Sequence, residues 1–166
     1  MTKFIRLAAL AAAATVTATP AFAQVAVSNG PVTATARIQK PLTLTRLDDL
    51  DFGTILVQGS DTISIPYDTG VLDCGAAANL TCSGATKRAQ YRVTGTNNQD
   101  VTIVAPDVTL SNGTDNLTLV LSAPASVNLT NSGSTGTTFN VGGSIFIDED
   151  VSEGTYTGNL AVTVEY

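Results

Sequence analysis

Histidine and tryptophan are absent from all 166 residues, and aromatic side chains make up only 5% of them. Without an imidazole the chain cannot assemble a Ser-His-Asp or Cys-His nucleophile, nor a histidine metal site. With no tryptophan, and with Phe52, Phe139 and Phe146 as the only phenylalanines beyond residue 23, it offers few of the aromatic platforms that sugar-binding faces use. Positive charge is scarce too. Six Lys and Arg against fourteen Asp and Glu follow residue 23, a net charge of −8 for residues 24–166. That deficit argues against nucleic acid and anionic lipid as partners, since both need basic patches. No apolar run approaches the roughly 20 residues of a membrane span, and no stretch after residue 23 sustains a 3.6-residue apolar period.

The chain opens with the three parts of a secretory signal. Lys3 and Arg6 form a positive n-region, Leu7 to about Ala18 an apolar h-region, and Ala21-Phe22-Ala23 an A-x-A cleavage site before Gln24. Residues 1–23 are therefore expected to be removed, leaving 24–166 as an exported single domain. A domain of that size buries roughly 68% of the surface its unfolded chain exposes. Much of its polarity comes from Thr, Ser, Asn and Gly rather than charge, and Thr with Val suits a pleated, half-buried surface.

Short alternating runs separated by turn residues predict an all-β fold of the sandwich kind. Val25 and Val27 share a parity before Asn29-Gly30-Pro31, and Val32, Ala34, Ala36 and Ile38 then alternate with Thr33, Thr35 and Arg37. Pro41 interrupts, and Leu42 and Leu44 resume. Further strands are expected at 52–57, 62–67, 89–94, 101–104, 117–121 and 139–147, with irregular structure at 68–86 and a loop at 126–138. From Thr155 to Tyr166 the alternation is strict: Tyr156, Gly158, Leu160, Val162, Val164 and Tyr166 share one parity. This predicts a twelve-residue strand with Leu160, Val162 and Val164 buried and Asn159, Thr163 and Glu165 facing solvent or a partner edge.

Cys74 and Cys82 are the only cysteines. An even pair in an exported chain reads as a disulfide; two thiolates without histidine do not complete a usual zinc site, and the spacing is not C-x-x-C. The acids cluster as Asp48/Asp49/Asp51 and Asp148/Glu149/Asp150. Either could in principle serve calcium, but neither follows the spacing of a calcium loop, and solvated turns are the simpler reading. Paired-carboxylate hydrolysis is the one enzymatic reading left, and no cofactor is expected. Gly158 stands at an inward strand position, which marks close approach of another group. Phe146 has the opposite parity to Ile145 and Ile147, so it either covers a second interface or packs under a loop.

Two motifs carry a resemblance. Thr33-Ala34-Thr35-Ala36-Arg37-Ile38-Gln39-Lys40-Pro41-Leu42-Thr43-Leu44 runs into Leu50-Asp51-Phe52-Gly53-Thr54-Ile55. At the other end stands Glu153-Gly154-Thr155-Tyr156-Thr157-Gly158-Asn159-Leu160-Ala161-Val162-Thr163-Val164-Glu165-Tyr166. Together they resemble a family of small exported proteobacterial proteins catalogued as a domain of unknown function. That family in turn looks like the spore-coat-U-type subunits of archaic chaperone–usher pili. The resemblance implies an immunoglobulin-like β-sandwich that lacks one strand and is completed by an N-terminal extension of the next subunit. The partners it implies are identical subunits, a periplasmic chaperone and an outer-membrane usher, and the location it implies is the periplasm, cell surface or an extracellular filament. Residues 24–38 would be the donor, with Val32, Ala34, Ala36 and Ile38 inserting. The same residues could instead form the first strand of their own sheet. In that case the protein would be a monomeric secreted binding or adhesion module for a surface glycan or calcium.

Overall fold

The structure, a computed structural model, describes Gly30, residues 32–130 and residues 135–166. The expected signal segment 1–23, residues 24–29 of the N-terminal segment and part of the 126–138 loop lie outside the described residues. The chain divides into two units, residues 1–36 and Arg37–Tyr166. In the first, the described residues form no strand, and Val32 to Ala36 are exposed.

The second unit is built of antiparallel strands, and the described residues contain no helix. In chain order they are β1 (Thr43–Asp48), β2 (Thr54–Val57), β3 (Asp61–Ile65), β4 (Leu80–Ser83), β5 (Ala89–Thr94) and β6 (Asp100–Val104). There follow β7 (Val108–Ser111), β8 (Asn116–Ser122), β9 (Ser126–Asn128), β10 (Thr137–Ile147) and β11 (Thr163–Glu165). The largest sheet has the order β1-β5-β10-β8-β7, with β3 also pairing β10; β11-β6-β9 and β2-β4 form two smaller sheets. The expected all-β class holds.

Period-two patterning explains most of these elements. In β5, Ala89, Tyr91 and Val93 are buried while Gln90, Arg92 and Thr94 are half-buried on the other face; in β6 and β7 the buried residues are Val101, Ile103, Val108 and Leu110, with Thr102 and Thr109 exposed between them. Asn112-Gly113 turns the chain from β7 into β8. The Asn112 Oδ1 accepts the N–H groups of Thr114 (2.8 Å) and Asp115 (2.7 Å), and Gly113 adopts φ +90°, open to glycine at little cost.

β10 belongs to two neighbourhoods. Residues 137–141 pair with β5, residues 143–147 with β3, and residues 142–145 with β8. Gly142 and Gly143 occupy the change of partner: a Cβ on Gly142 would collide with the Ile65 carbonyl oxygen, and one on Gly143 would lie 2.7 Å from Leu119 Cδ1. One apolar cluster contains Tyr91, Val93, Val101, Leu129, Phe139 and Val141; the other contains Phe52, Ile63, Ile65, Leu80, Leu119, Ile145 and Ile147. Tyr91 and Phe139, opposite each other across β5 and β10, stack with ring centroids 5.7 Å apart. Such a pair contributes about 0.5–1.5 kcal/mol beyond its area.

Residues 32–38 lie in no strand among the described residues, and the first strand begins at Thr43. Several other expectations need correction. The 68–86 stretch contains β4, and the 126–138 stretch contains β9 followed by Leu129, which is completely buried. In both places, Ser, Thr, Asn and Gly surround two or three apolar residues, so the periodicity is too short to read. β7 was missed for the same reason. The twelve-residue terminal strand shrinks to the three residues of β11: β6 ends at Val104, opposite Thr163, so the residues before Thr163 find no partner in it. Earlier in that stretch, Thr157 makes a single bridge to Ser111.

Candidate strand-pairing site

The Lys40–Pro41 dipeptide is where the chain before β1 leads into the sheet. Pro41 has no N–H to donate and a fixed φ, so pairing stops there. Lys40 is held by side chains instead. Its N–H donates to Thr96 Oγ1 (2.7 Å), and its carbonyl accepts from the Tyr166 hydroxyl (2.5 Å). The same hydroxyl accepts the Thr96 N–H (2.7 Å) and lies 3.2 Å from Thr96 Oγ1. Gly95 leaves the room this requires, since a Cβ there would lie 2.5 Å from the Tyr166 oxygen, 2.7 Å from Leu42 Cδ2 and 3.0 Å from Leu129 Cδ1.

β1 and β11 are edge strands: among the described residues β1 pairs only with β5, and β11 only with β6. Leu42 and Leu44 on one edge, and Leu160, Val162 and Val164 on the other, pack against the Tyr91/Phe139 cluster. All five are half-buried. The expected parity of the terminal stretch therefore holds, since Asn159, Ala161, Thr163 and Glu165 are exposed, but its apolar residues are not fully enclosed. An edge with free backbone groups and half-covered apolar side chains is a template for another strand. The N-terminal residues have matching chemistry: Val32 and Ile38 are 87% and 90% exposed, and Ala34 and Ala36 are exposed with them.

Cys74 and Cys82 form a disulfide with Cα atoms 6.0 Å apart. It ties the loop before β4 to that strand, and both residues pack against the Phe52/Ile145 cluster. Asp61 secures the same loop, its carboxylate accepting the N–H groups of Ala76 and Thr62 (both 2.8 Å) and the Asn79 side-chain amide (3.3 Å). The Ala76 bond, then the Thr62 bond, holds Asp61 below the ordinary value of 3.8.

The acidic clusters serve turns. Asp51 Oδ1 accepts the Gly53 N–H (2.8 Å), and Asp148 Oδ1 accepts the Asp150 N–H (3.2 Å). Asp48 faces Lys87 Nζ at 2.9 Å, which raises the lysine's pKa through that hydrogen bond and the attending charge. Asp49 pairs with Arg46 at 3.2 Å. No group of three or more metal-ligating side chains is gathered among the described residues. The Leu50-to-Thr54 motif is likewise a folding device: Phe52 is buried, and Gly53 at φ +75° passes the Ser83 carbonyl where a Cβ would come within 2.6 Å. Its neighbour Asp51 bridges to Lys87 through two backbone hydrogen bonds of 2.7 and 2.8 Å.

Of the sequence-predicted site residues, Cys74 and Cys82 are brought together, while Val32, Ala34, Ala36 and Ile38 lie in no ladder among the described residues. The Lys40–Thr96–Tyr166 constellation escaped the sequence; the glycine immediately before Thr96 is its one visible trace. Residues 42–166 match the family described as "Domain of unknown function (DUF4402)", and the chain belongs to that family. No curated protein and no solved structure matches the chain.

Proposed function

We propose that the protein is a non-enzymatic, pilin-like structural subunit of an extracellular assembly, joined to its neighbours by β-strand complementation. The observation that carries this reading is a mismatch within one chain. Residues 32–38 have the alternation of a strand but lie in no ladder among the described residues, while β11 and the half-buried Leu160, Val162 and Val164 form an edge outside which no described residue pairs. A strand laid there would gain ladder bonds and cover apolar surface at the same time. On this reading the sheets form an immunoglobulin-like sandwich, residues 1–23 direct export, and residues 24–38 are the donor. A periplasmic chaperone would protect the open edge, and an outer-membrane usher would order the assembly. The closed disulfide and the acidic surface suit an exported location.

Sedimentation of the exported chain tests the proposal. Wild type should form concentration-dependent oligomers that a synthetic 24–38 peptide caps. Ala34→Asp and Ile38→Asp should stay monomeric with an unchanged unfolding midpoint, because both residues are exposed. Wild type that remains monomeric at high concentration and ignores the peptide would defeat assembly and promote the monomeric binding module.

A further inference from the structure

One side chain touches both halves of the arrangement just described. Tyr166 follows Glu165, the last residue of β11, so the position of its ring depends on how well β11 is ordered. Its hydroxyl in turn pins Lys40, two residues after Ile38. Among the described residues β11 is short, paired on one side only and preceded by residues 158–162 that share no ladder, features that mark a segment prone to local opening. A strand added along its outer edge would supply ladder bonds on the second side and suppress that opening.

Resting on the complementation reading, we propose that Tyr166 is a positioning residue that couples the two sites: filling the β11 edge orders Tyr166, which fixes Lys40 and Pro41 at the root of the pairing segment. The hydroxyl is suited to this because it works in both directions, accepting from Thr96 and donating to Lys40, while Thr96 Oγ1 closes the circuit by accepting the Lys40 N–H. Gly95 fits the contact, since a Cβ there would crowd the Tyr166 hydroxyl at 2.5 Å. The partner is a second copy of this chain. Linkage makes the effect reciprocal: a fixed root favours an ordered edge as much as an ordered edge favours a fixed root. A subunit that has received a strand thus offers its own from a defined base, and growth is favoured over initiation.

Amide hydrogen exchange on the exported chain, kept dilute and monomeric, tests the coupling with added 24–38 peptide as the probe. The peptide should slow exchange at Thr163–Glu165 and also, by about tenfold, at Lys40 and Thr96. In Tyr166→Phe the protection at β11 should persist while that at Lys40 and Thr96 is lost. Thr96→Val, which keeps the Thr96 N–H, should uncouple Lys40 alone. Protection of β11 without any change at Lys40 and Thr96, or equal protection of them in Tyr166→Phe, overturns the coupling and leaves complementation standing. Should Tyr166→Phe fail to fold, the contrast between Lys40 and Thr96 in Thr96→Val decides. Failure of the peptide to protect any residue sinks the complementation reading, and the coupling with it.

Discussion

The carbonyl oxygen of Thr109 stands 2.6 Å from where a Cβ on Gly158 would be, so the chain near Gly158 lies against the backbone of β7 with no space for a side chain. Thr157 is fastened there by two backbone hydrogen bonds with Ser111, at 2.9 and 3.1 Å. Gly158→Val must push this segment outward. The expected cost is about 1–3 kcal/mol, as for other overpacked sites. A lower urea midpoint with an unchanged slope checks it; an unshifted midpoint would mean that the contact relaxes freely.

Removing the disulfide should destabilise the domain by about 2.5 kcal/mol, from the entropy of its short closed loop. The Cys74→Ala/Cys82→Ala double variant, compared with wild type by thermal melting, measures this. Alkylation of unreduced wild type should label neither cysteine.

Stability should fall on acidification in a way traceable to Asp61 and Asp115. The Ala76 and Thr62 N–H groups lower the pKa of Asp61, and the hydroxyl and then the N–H of Ser152 lower that of Asp115. A carboxylate whose folded pKa lies below its unfolded value stabilises the fold fully above the unfolded value. That stabilisation is lost as pH falls below the ordinary 3.8 and through the folded pKa. Urea midpoints from pH 6 downward should drop more steeply for wild type than for Asp61→Asn; parallel curves would exclude Asp61 as a source.

Leu129→Ala should cost about 2–5 kcal/mol, as for other large-to-small core changes. Leu129 is completely buried in the Tyr91/Phe139 cluster, with its backbone bonded to Asn98 and Gln99, although it lies in a segment rich in Ser, Thr and Asn. Chemical denaturation gives the value directly, and a loss under 1 kcal/mol would place Leu129 in a site able to collapse around the smaller side chain.

The fold class was legible because strands such as β5, β6 and β10 carry four or more alternating residues, enough for period two to stand out. Single buried residues such as Leu80 and Leu129 have no such context, and β4 and β9 were lost with them. At Leu160, Val162 and Val164 the pattern foretold which side faces the core but not the extent of pairing. Alternation records a buried face, whereas a ladder needs a neighbour that runs alongside, and β6 ends at Val104. The cysteines were legible from chemistry alone. The contact between Tyr166 and Lys40 spans 126 residues and depends on side-chain reach, which no local pattern encodes.

β10 gives Phe139 and Val141 to one apolar cluster and Ile145 and Ile147 to the other. Neither cluster can melt without withdrawing the strand from its neighbour, so the two should unfold in a single cooperative transition. In exchange experiments the amides on both sides of Gly142–Gly143 should open with one common free energy, that of global unfolding. A shared strand of this kind leaves no half-folded form with one intact core, and so exposes little sticky surface short of complete unfolding.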